Sequence, residues 1–391
     1  MLDILRGFAI FGILMVNMMW YNTPIASLIS DNSIWTGTAD KVARFFITFL
    51  FEGKFYVLFS MLFGYGFWLF LNKKNPEGKS IIRLFAMRLF ILLLIGVAHV
   101  LLLWPGDILV FYALLGFVLM LFRKVKNRTL MVWAIIFIMV PVFVMGIVVL
   151  FSLIPEVREV MAQAMVEQDK FLKSMIGDAL VVYREGTFAE MVHMRIREYM
   201  LVVNGFLFFH VNILAMFLIG QYAARKAYLQ NIPEHLPLFR RLCILGFSIG
   251  LPIAAFGSYV AMTHDIYSPN VLALAAMFLG SFGAPMLTLA YLSGIILLVH
   301  HGYLKRLSGW LAAVGRMALT NYLVHSIVAS FLFYSYGLGW YGQMPPWLGI
   351  LPVLIIYGLQ IPFSIYWMRR FRFGPFEWLW RSLTYMKWQK F

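Results

Sequence analysis

The stretch TLMVWAIIFIMVPVFVMGIVVLFSL, Thr129–Leu153, decides the fold class. It carries no charged side chain, and at about 1.5 Å per helical residue it is longer than a hydrocarbon core of about 30 Å. Similar runs recur along the whole chain. Of 391 residues, 62% are hydrophobic and only 13% charged, too little polar surface to cover a water-soluble core. Read against charge and turn clusters, the apolar runs predict an all-α, polytopic membrane bundle of about ten transmembrane helices: 4–22, 43–70, 84–104, 107–122, 129–153, 202–223, 242–262, 270–299, 308–334 and 347–367. Residues 1–391 form a single membrane domain, and Pro285 is expected to kink the eighth helix.

The first run, Ile4–Tyr21, is expected to be a retained helix rather than a signal peptide. It has one flanking cation, no small-residue cleavage site and an internal Asn17. A single cysteine, Cys243, excludes an intramolecular disulfide, a cysteine zinc cluster and an iron–sulfur site. The net charge of +15 would suggest nucleic acid in a soluble chain, but here it sorts by loop. Cations such as Arg6, Lys73, Lys74, Lys79, Arg123, Arg225, Arg240, Lys305 and Arg369 fall in alternate loops, which the positive-inside rule assigns to the cytoplasm together with both termini. The bacterial cytoplasmic membrane is the expected location. The long 154–200 loop then lies outside, and its mixed charges with Met, Phe and Leu predict amphipathic helices lying on the outer leaflet.

Ionisable and polar groups inside the spans are costly and therefore informative. Arg6 and Asn17 are eleven residues apart, three helical turns, so they share a face about 16 Å apart along the axis. Arg88 and His99 repeat the spacing. Arg6 and Arg88 can equally snorkel to lipid phosphate. Glu52 and Lys54, two apart, face different ways and are expected to have separate partners. Asp107 follows His99 across a tight turn, where it can cap the fourth helix or orient the imidazole. His210 and His325 fall at a similar depth, and Asn321 shares a face with His325. Membrane histidines commonly serve helix packing, but several titratable groups at one depth point to a site.

The blocks 2–17 (LDILRGFAIFGILMVN), 51–64 (FEGKFYVLFSMLFG), 106–109 (GDIL), 315–322 (GRMALTNY) and 374–381 (GPFEWLWR) resemble the YeiB-like membrane proteins, and they span nearly the whole chain. That family is grouped with the transmembrane acyltransferase superfamily, which includes the lysosomal heparan-α-glucosaminide N-acetyltransferase and the acyltransferase-3 enzymes that decorate bacterial surface glycans. The resemblance implies a cytoplasmic acyl-CoA donor, a pore through the bundle and an acceptor outside. In the acyltransferase-3 branch the first helix carries an arginine and, eleven residues later, a catalytic histidine. Arg6 matches the arginine, whereas Asn17 stands at the histidine position, as in the lysosomal branch, which leaves the base open.

The residues fit that implication physically. Arg6, Arg83, Arg88 and Arg316 are the candidates for the donor's phosphates. His99 with Asp107, then His325, then Glu52, with Asn17 beside them, are the candidates for proton transfer and oxyanion binding. Lys54, Asn321 and His210 are candidate acceptor contacts. Expected partners are membrane lipid, the acyl-CoA donor and an extracytoplasmic glycan, lipid or small-molecule acceptor. No metal or nucleic acid is expected, and self-association is left open. A transporter or flippase using the same polar layer, hinged at Pro285 and Gly280–Gly283, is the alternative.

Overall fold

The computed structural model describes residues 1–30, 32–72, 80–205, 207–264 and 268–391, so the predicted loop cations Lys73, Lys74 and Lys79 lie outside the described residues. Every regular element among them is helical: α1 (Leu2–Asn22), α2 (Ile25–Leu28), α3 (Thr38–Leu50), α4 (Lys54–Leu71), α5 (Ile81–Leu102), α6 (Leu109–Leu121), α7 (Asn127–Phe151), α8 (Pro155–Glu185), α9 (Phe188–Gly205), α10 (Leu207–Arg225), α11 (Leu236–Thr263), α12 (Val271–His300), α13 (Lys305–Arg316), α14 (Ala318–Phe333), α15 (Pro346–Arg370) and α16 (Pro375–Tyr385).

Among the described residues, seven helical segments are long and apolar enough to cross a membrane: Leu2–Asn22, Thr38–Leu71, Ile81–Leu102, Asn127–Phe151, Ile232–Thr263, Val271–His300 and Pro346–Arg370. Of the other expected spans, α6 has 13 residues and α14 has 16, which at about 1.5 Å per residue fall short of a full core. The exterior of the long helices is apolar, with Leu94, Ile135, Phe143, Ile244 and Leu359 exposed. Such a surface matches hydrocarbon as solvent, where backbone groups must be satisfied within each helix.

Two expected spans are broken. The span 43–70 divides at Phe51–Gly53, where Gly53 takes φ +83, a left-handed conformation that a side chain would resist. The span 308–334 divides at Met317 into α13 and α14. Glu52 and Lys54 flank the first break and Arg316 precedes the second, but a hydropathy window averages these charges over the apolar helices on either side. Both breaks leave helix ends inside the bundle, where side chains can reach free backbone groups.

Helix α1 is the axis of the bundle. Leu5, Ala9, Ile10 and Leu14 are fully buried, and it touches α4, α13, α14 and α15. Its approach to α13 is backbone to backbone: a Cβ on Gly7 would overlap the carbonyl of Leu311, and one on Gly315 would overlap the carbonyl of Asp3. Arg6 and Arg316, each beside one of these glycines, are thereby brought together.

In the 154–200 region helices α8 and α9 follow one another, and the second half of α8 packs on protein. Leu172, Met175, Ala179, Tyr183 and Met194 are buried. The Arg195 guanidinium, wholly enclosed, donates to the Leu101 carbonyl at 2.9 Å. Glu198 accepts from the Ile25 N–H at 2.9 Å and the Tyr183 hydroxyl at 2.8 Å. Arg195 and Glu198, part of the charge pattern that reads as amphipathic, are enclosed and bonded to α2, α5 and α8.

Candidate functional site

A cavity of about 690 Å³ runs through the bundle beside α1, within the size range of small-molecule sites. One end is lined by Arg6, Arg88, Arg316 and Arg381, the other by Asn17, Glu52, Asp107 and His210. Aromatic and aliphatic side chains, among them Ile13, Phe59, Phe63, Phe67 and Leu92, line the passage between. Arg6 and Asn17 mark its length on α1, about 16 Å at 1.5 Å per residue.

At the arginine end Arg6 donates to Asp3 at 3.0 Å, with the two side chains 33% and 40% exposed. The Arg88 guanidinium lies 3.7 Å from the Trp380 ring centroid, and the Trp380 indole donates to the Arg88 carbonyl at 2.8 Å. One residue of α5 thus holds α16 by both its backbone and its charge. Arg381, on α16, rests over the Phe373 and Tyr385 rings at 4.8 and 5.4 Å. Arg316 is exposed at the end of α13. Glu377, the one carboxylate on this part of the wall, is occupied. It accepts from the Leu319 and Thr320 N–H groups at 2.7 and 3.0 Å and from the Thr320 hydroxyl, which caps α14 at the break after α13. Burial pushes the Glu377 carboxyl above its ordinary range, and these donors oppose the shift. The end as a whole is cationic and suited to a polyanion.

At the carboxylate end, the break at Gly53 turns Glu52 onto the wall. Its Oε2 accepts from the Thr48 hydroxyl at 2.8 Å, while the buried Lys54 donates to the Thr48 carbonyl at 2.7 Å. Asp107 uses both oxygens: Oδ1 accepts from the Val110 N–H at 2.8 Å, capping α6, and Oδ2 meets His99 Nδ1 at 2.7 Å. His99 Nε2 meets Ser326 Oγ at 2.7 Å, and Ser326 Oγ meets the Tyr21 hydroxyl at 2.9 Å. His99 lies behind Asp107, off the wall. His210 stacks on Phe111 with centroids 3.6 Å apart.

The structure therefore brings nine of the sequence-derived candidates to the cavity or directly behind it: Arg6, Asn17, Glu52, Arg88, His99, Asp107, His210 and Arg316 by wall or direct bond, and Lys54 through Thr48. Three lie elsewhere. Arg83, five residues before Arg88, is exposed and off the wall. His325 is fully buried, with Nε2 2.8 Å from Gln360 Oε1. Gln360 donates to the Asn321 carbonyl at 3.1 Å, and Asn321 donates to Val314 O and Ser364 Oγ at 3.0 and 3.2 Å. That network joins α13, α14 and α15. Glu377, Trp380 and Arg381 are wall residues absent from the sequence-derived set. Their block, 374–381, contributes to the resemblance, yet it follows the last apolar span and reads as a cytoplasmic tail. Among the described residues no three His, Cys, Asp or Glu side chains are placed to hold a metal ion.

The family described as "Protein of unknown function (DUF418)" matches residues 223–387, a part that includes Arg316, Glu377, Trp380 and Arg381. Over nearly its whole length the chain is similar to the "Uncharacterized protein YxaH" of Bacillus subtilis (strain 168), 37% identical, with 99% of this chain and 94% of that protein covered. It is also similar to the "Uncharacterized protein YeiB" of Escherichia coli (strain K12), 30% identical over 98% of this chain and 95% of that one. The "Uncharacterized 39.9 kDa protein in amylase 3'region" of Bacillus acidopullulyticus is 28% identical, covering 98% and 93%. No solved structure matches.

Proposed function

The chain belongs to the YeiB-like family, and from that premise we propose that it is a membrane-embedded acyltransferase of the transmembrane acyltransferase superfamily, moving an acyl group from cytoplasmic acyl-CoA to an acceptor on the far side. The observation that supports this reading is a cavity lined by four arginines at one end and by Asn17, Glu52, Asp107 and His210 at the other. A CoA thioester has that polarity: phosphates at one end, a narrow, weakly polar arm, and a carbonyl at the tip. Arg6, Arg88, Arg316 and Arg381 would hold the phosphates, with Trp380 offering an aromatic plane. The apolar passage would take the arm. Asn17, Glu52, Asp107 and His210 would surround the thioester carbonyl and the attacking hydroxyl or amine.

The topology that goes with this reading is ten crossings with the arginine end and both termini in the cytoplasm, including the shorter α6 and α14. A reporter fused after Phe391 then reads cytoplasmic. Protease cleavage of 154–200 from the cytoplasmic face alone would overturn the orientation.

The activity is tested in vesicles from cells overproducing the protein, given [¹⁴C]acetyl-CoA on the cytoplasmic face. Transfer releases free CoA thiol in step with label in the membrane or glycan fraction, above vesicles lacking the protein. Retention of all label in acetyl-CoA, with a solute crossing the same vesicles, would leave the transporter reading instead.

A further inference from the structure

Three acidic side chains line the cavity, Glu52, Asp107 and Glu377. Two of them have both oxygens engaged by the protein. Asp107 is enclosed, with Oδ1 on the Val110 N–H and Oδ2 against His99. Glu377 accepts on both oxygens from the start of α14. Glu52 differs. It is half-buried, its Oε2 accepts from the Thr48 hydroxyl at 2.8 Å, and among the described residues no donor reaches its Oε1.

The break that places Glu52 on the wall is a built feature. Ending α3 and starting α4 inside the bundle frees backbone groups that must find partners. The Phe51 and Glu52 N–H groups both reach the Ile47 carbonyl at 2.9 Å. From α12, the Tyr291 hydroxyl donates to the Leu50 carbonyl at 3.1 Å and the Thr288 hydroxyl to the Lys54 carbonyl at 2.9 Å. Irregular backbone at membrane depth persists where it is buried in protein or lines a cavity, and here it leaves an acidic side chain at the cavity. Thr48 serves both charged neighbours of the break: its hydroxyl binds Glu52, and its carbonyl accepts from Lys54 Nζ at 2.7 Å. Lys54 is buried and off the wall, and Glu52 is the carboxylate whose charge bears on it.

Resting on the acyltransferase reading, we infer that Glu52 Oε1 is the hydrogen-bond partner of the acceptor's reacting O–H or N–H, and that the acceptor carries no anionic group beside it. Thr48 is the positioning residue, fixing the carboxylate through its other oxygen. The acceptor's class follows from the charges on the wall. All four wall arginines are at the opposite end, and no lysine lines the cavity among the described residues. A phosphate or carboxylate next to the reacting group would lie against Glu52 with no guanidinium or ammonium on the wall to offset it. The neighbouring wall side chains Trp20, Phe51, Tyr56 and Phe111 are aromatic and suit a neutral or cationic body. The acceptor is therefore a neutral or cationic molecule that presents a hydroxyl or an amine.

The test uses the full chain in vesicles, with CoA thiol release from [¹⁴C]acetyl-CoA as the rate, and labelled CoA retention and thermal unfolding as checks on the fold. In Glu52→Gln the amide oxygen takes the Thr48 bond and the NH₂ faces the cavity, a donor where the acceptor also brings one. Release falls about 10- to 100-fold, as for loss of one hydrogen bond to a charged group, with CoA retention unchanged. Thr48→Val leaves the KM for acetyl-CoA unchanged and lowers kcat about three- to tenfold, whereas Thr48→Ser, which keeps the hydroxyl, stays within about twofold of the parent chain. Mass spectrometry of the labelled product made by the unmodified chain finds acetyl on a hydroxyl or amine with no phosphate or carboxylate on the neighbouring carbons. Parent-like release by Glu52→Gln, or CoA retention lost in step with release in a chain that melts normally, overturns the Glu52 assignment. Thr48→Val as fast as the parent, or Thr48→Ser as slow as Thr48→Val, overturns the positioning role. An anionic neighbour on the product overturns the acceptor class. If Glu52→Gln does not fold, the Thr48 pair and the product decide. If the unmodified chain releases no CoA, the acyltransferase reading itself fails; if it does and Glu52→Gln equals it, only this inference fails.

Discussion

The two ends of the cavity are built differently. At the arginine end Arg6 and its partner Asp3 are 33% and 40% exposed, Arg316 is exposed, and Arg88 and Arg381 rest on aromatic faces. At the other end His99 and Asp107 are 1% and 0% exposed and bonded on both sides. Loosely held cations suit a ligand that must arrive, bind by charge and leave. Enclosed, doubly bonded groups suit a step in which orientation matters more than attraction. The contrast is one of cost as well. Water can serve exposed guanidinium groups when no ligand is bound, whereas a polar group in the enclosed end destabilises the fold if its partner is removed.

The largest effect is expected where one contact sets the geometry of the arginine end. Gly315→Leu forces α13 off α1, against the carbonyl of Asp3, and separates Arg316 from Arg6. Overpacking at a backbone contact should cost about 3 kcal/mol or more. Thermal unfolding in detergent should show a marked loss, and melting indistinguishable from the parent chain would mean that this contact does not hold the end together.

Next in size is charge reversal on the wall. Arg88→Glu should weaken CoA binding about 100-fold, roughly 3 kcal/mol, by removing one charge-assisted contact and adding repulsion. Arg83→Glu, five residues away on the same helix but exposed and off the wall, should weaken it less than about threefold. Binding of CoA to the parent chain should also fall with ionic strength, because the cations are only partly enclosed. Equal losses from Arg83→Glu and Arg88→Glu would reduce the arginine end to a diffuse field.

Glu377→Gln tests whether the wall carboxylate belongs to the arginine end's function or to its frame. An amide can accept from the Leu319 and Thr320 N–H groups but brings no charge to the α14 terminus, so a loss of about 1 kcal/mol is expected, with CoA binding held or slightly improved. A collapse of CoA binding in a protein that still melts normally would place Glu377 on the ligand instead.

The helical class and the two polar clusters were legible in the sequence because lipid leaves few reasons to place a charge in a span. The periodicity that put Arg6 in line with Asn17 and Arg88 in line with His99 follows from 3.6 residues per turn alone. What stayed hidden depends on tertiary approach. The breaks at Gly53 and Met317 lie within long runs whose average stays apolar despite Glu52, Lys54 and Arg316, and Arg195 and Glu198 resemble surface charges until Leu101, Ile25 and Tyr183 are set against them. Trp380 and Arg381 follow the last apolar span and return to the cavity because the Trp380 indole donates to the Arg88 carbonyl and lies against its guanidinium. Depth alone also put His325 in the same layer as His99, but depth does not say which way a helix faces.

That last point gives the smallest expected effect and the sharpest use of the comparison. His99 and His325 are both enclosed histidines bonded to buried side chains, yet His99 reaches the cavity through Asp107, whereas His325 reaches only Gln360 and, through it, the Asn321 backbone. If connection to the wall is what matters, His325→Gln should leave the rate of CoA release within about twofold. A glutamine can still meet Gln360 and lacks only the ring's packing, so the cost should appear in stability, about 1–2 kcal/mol, as for one altered buried hydrogen bond. The measurements are vesicle CoA release and thermal unfolding on the same preparation. A His325→Gln chain that melts normally but no longer releases CoA would show that α14 brings His325 to the reacting atoms in a form of the bundle other than this one, and the division between an enclosed site and an enclosed frame would have to be redrawn at that residue.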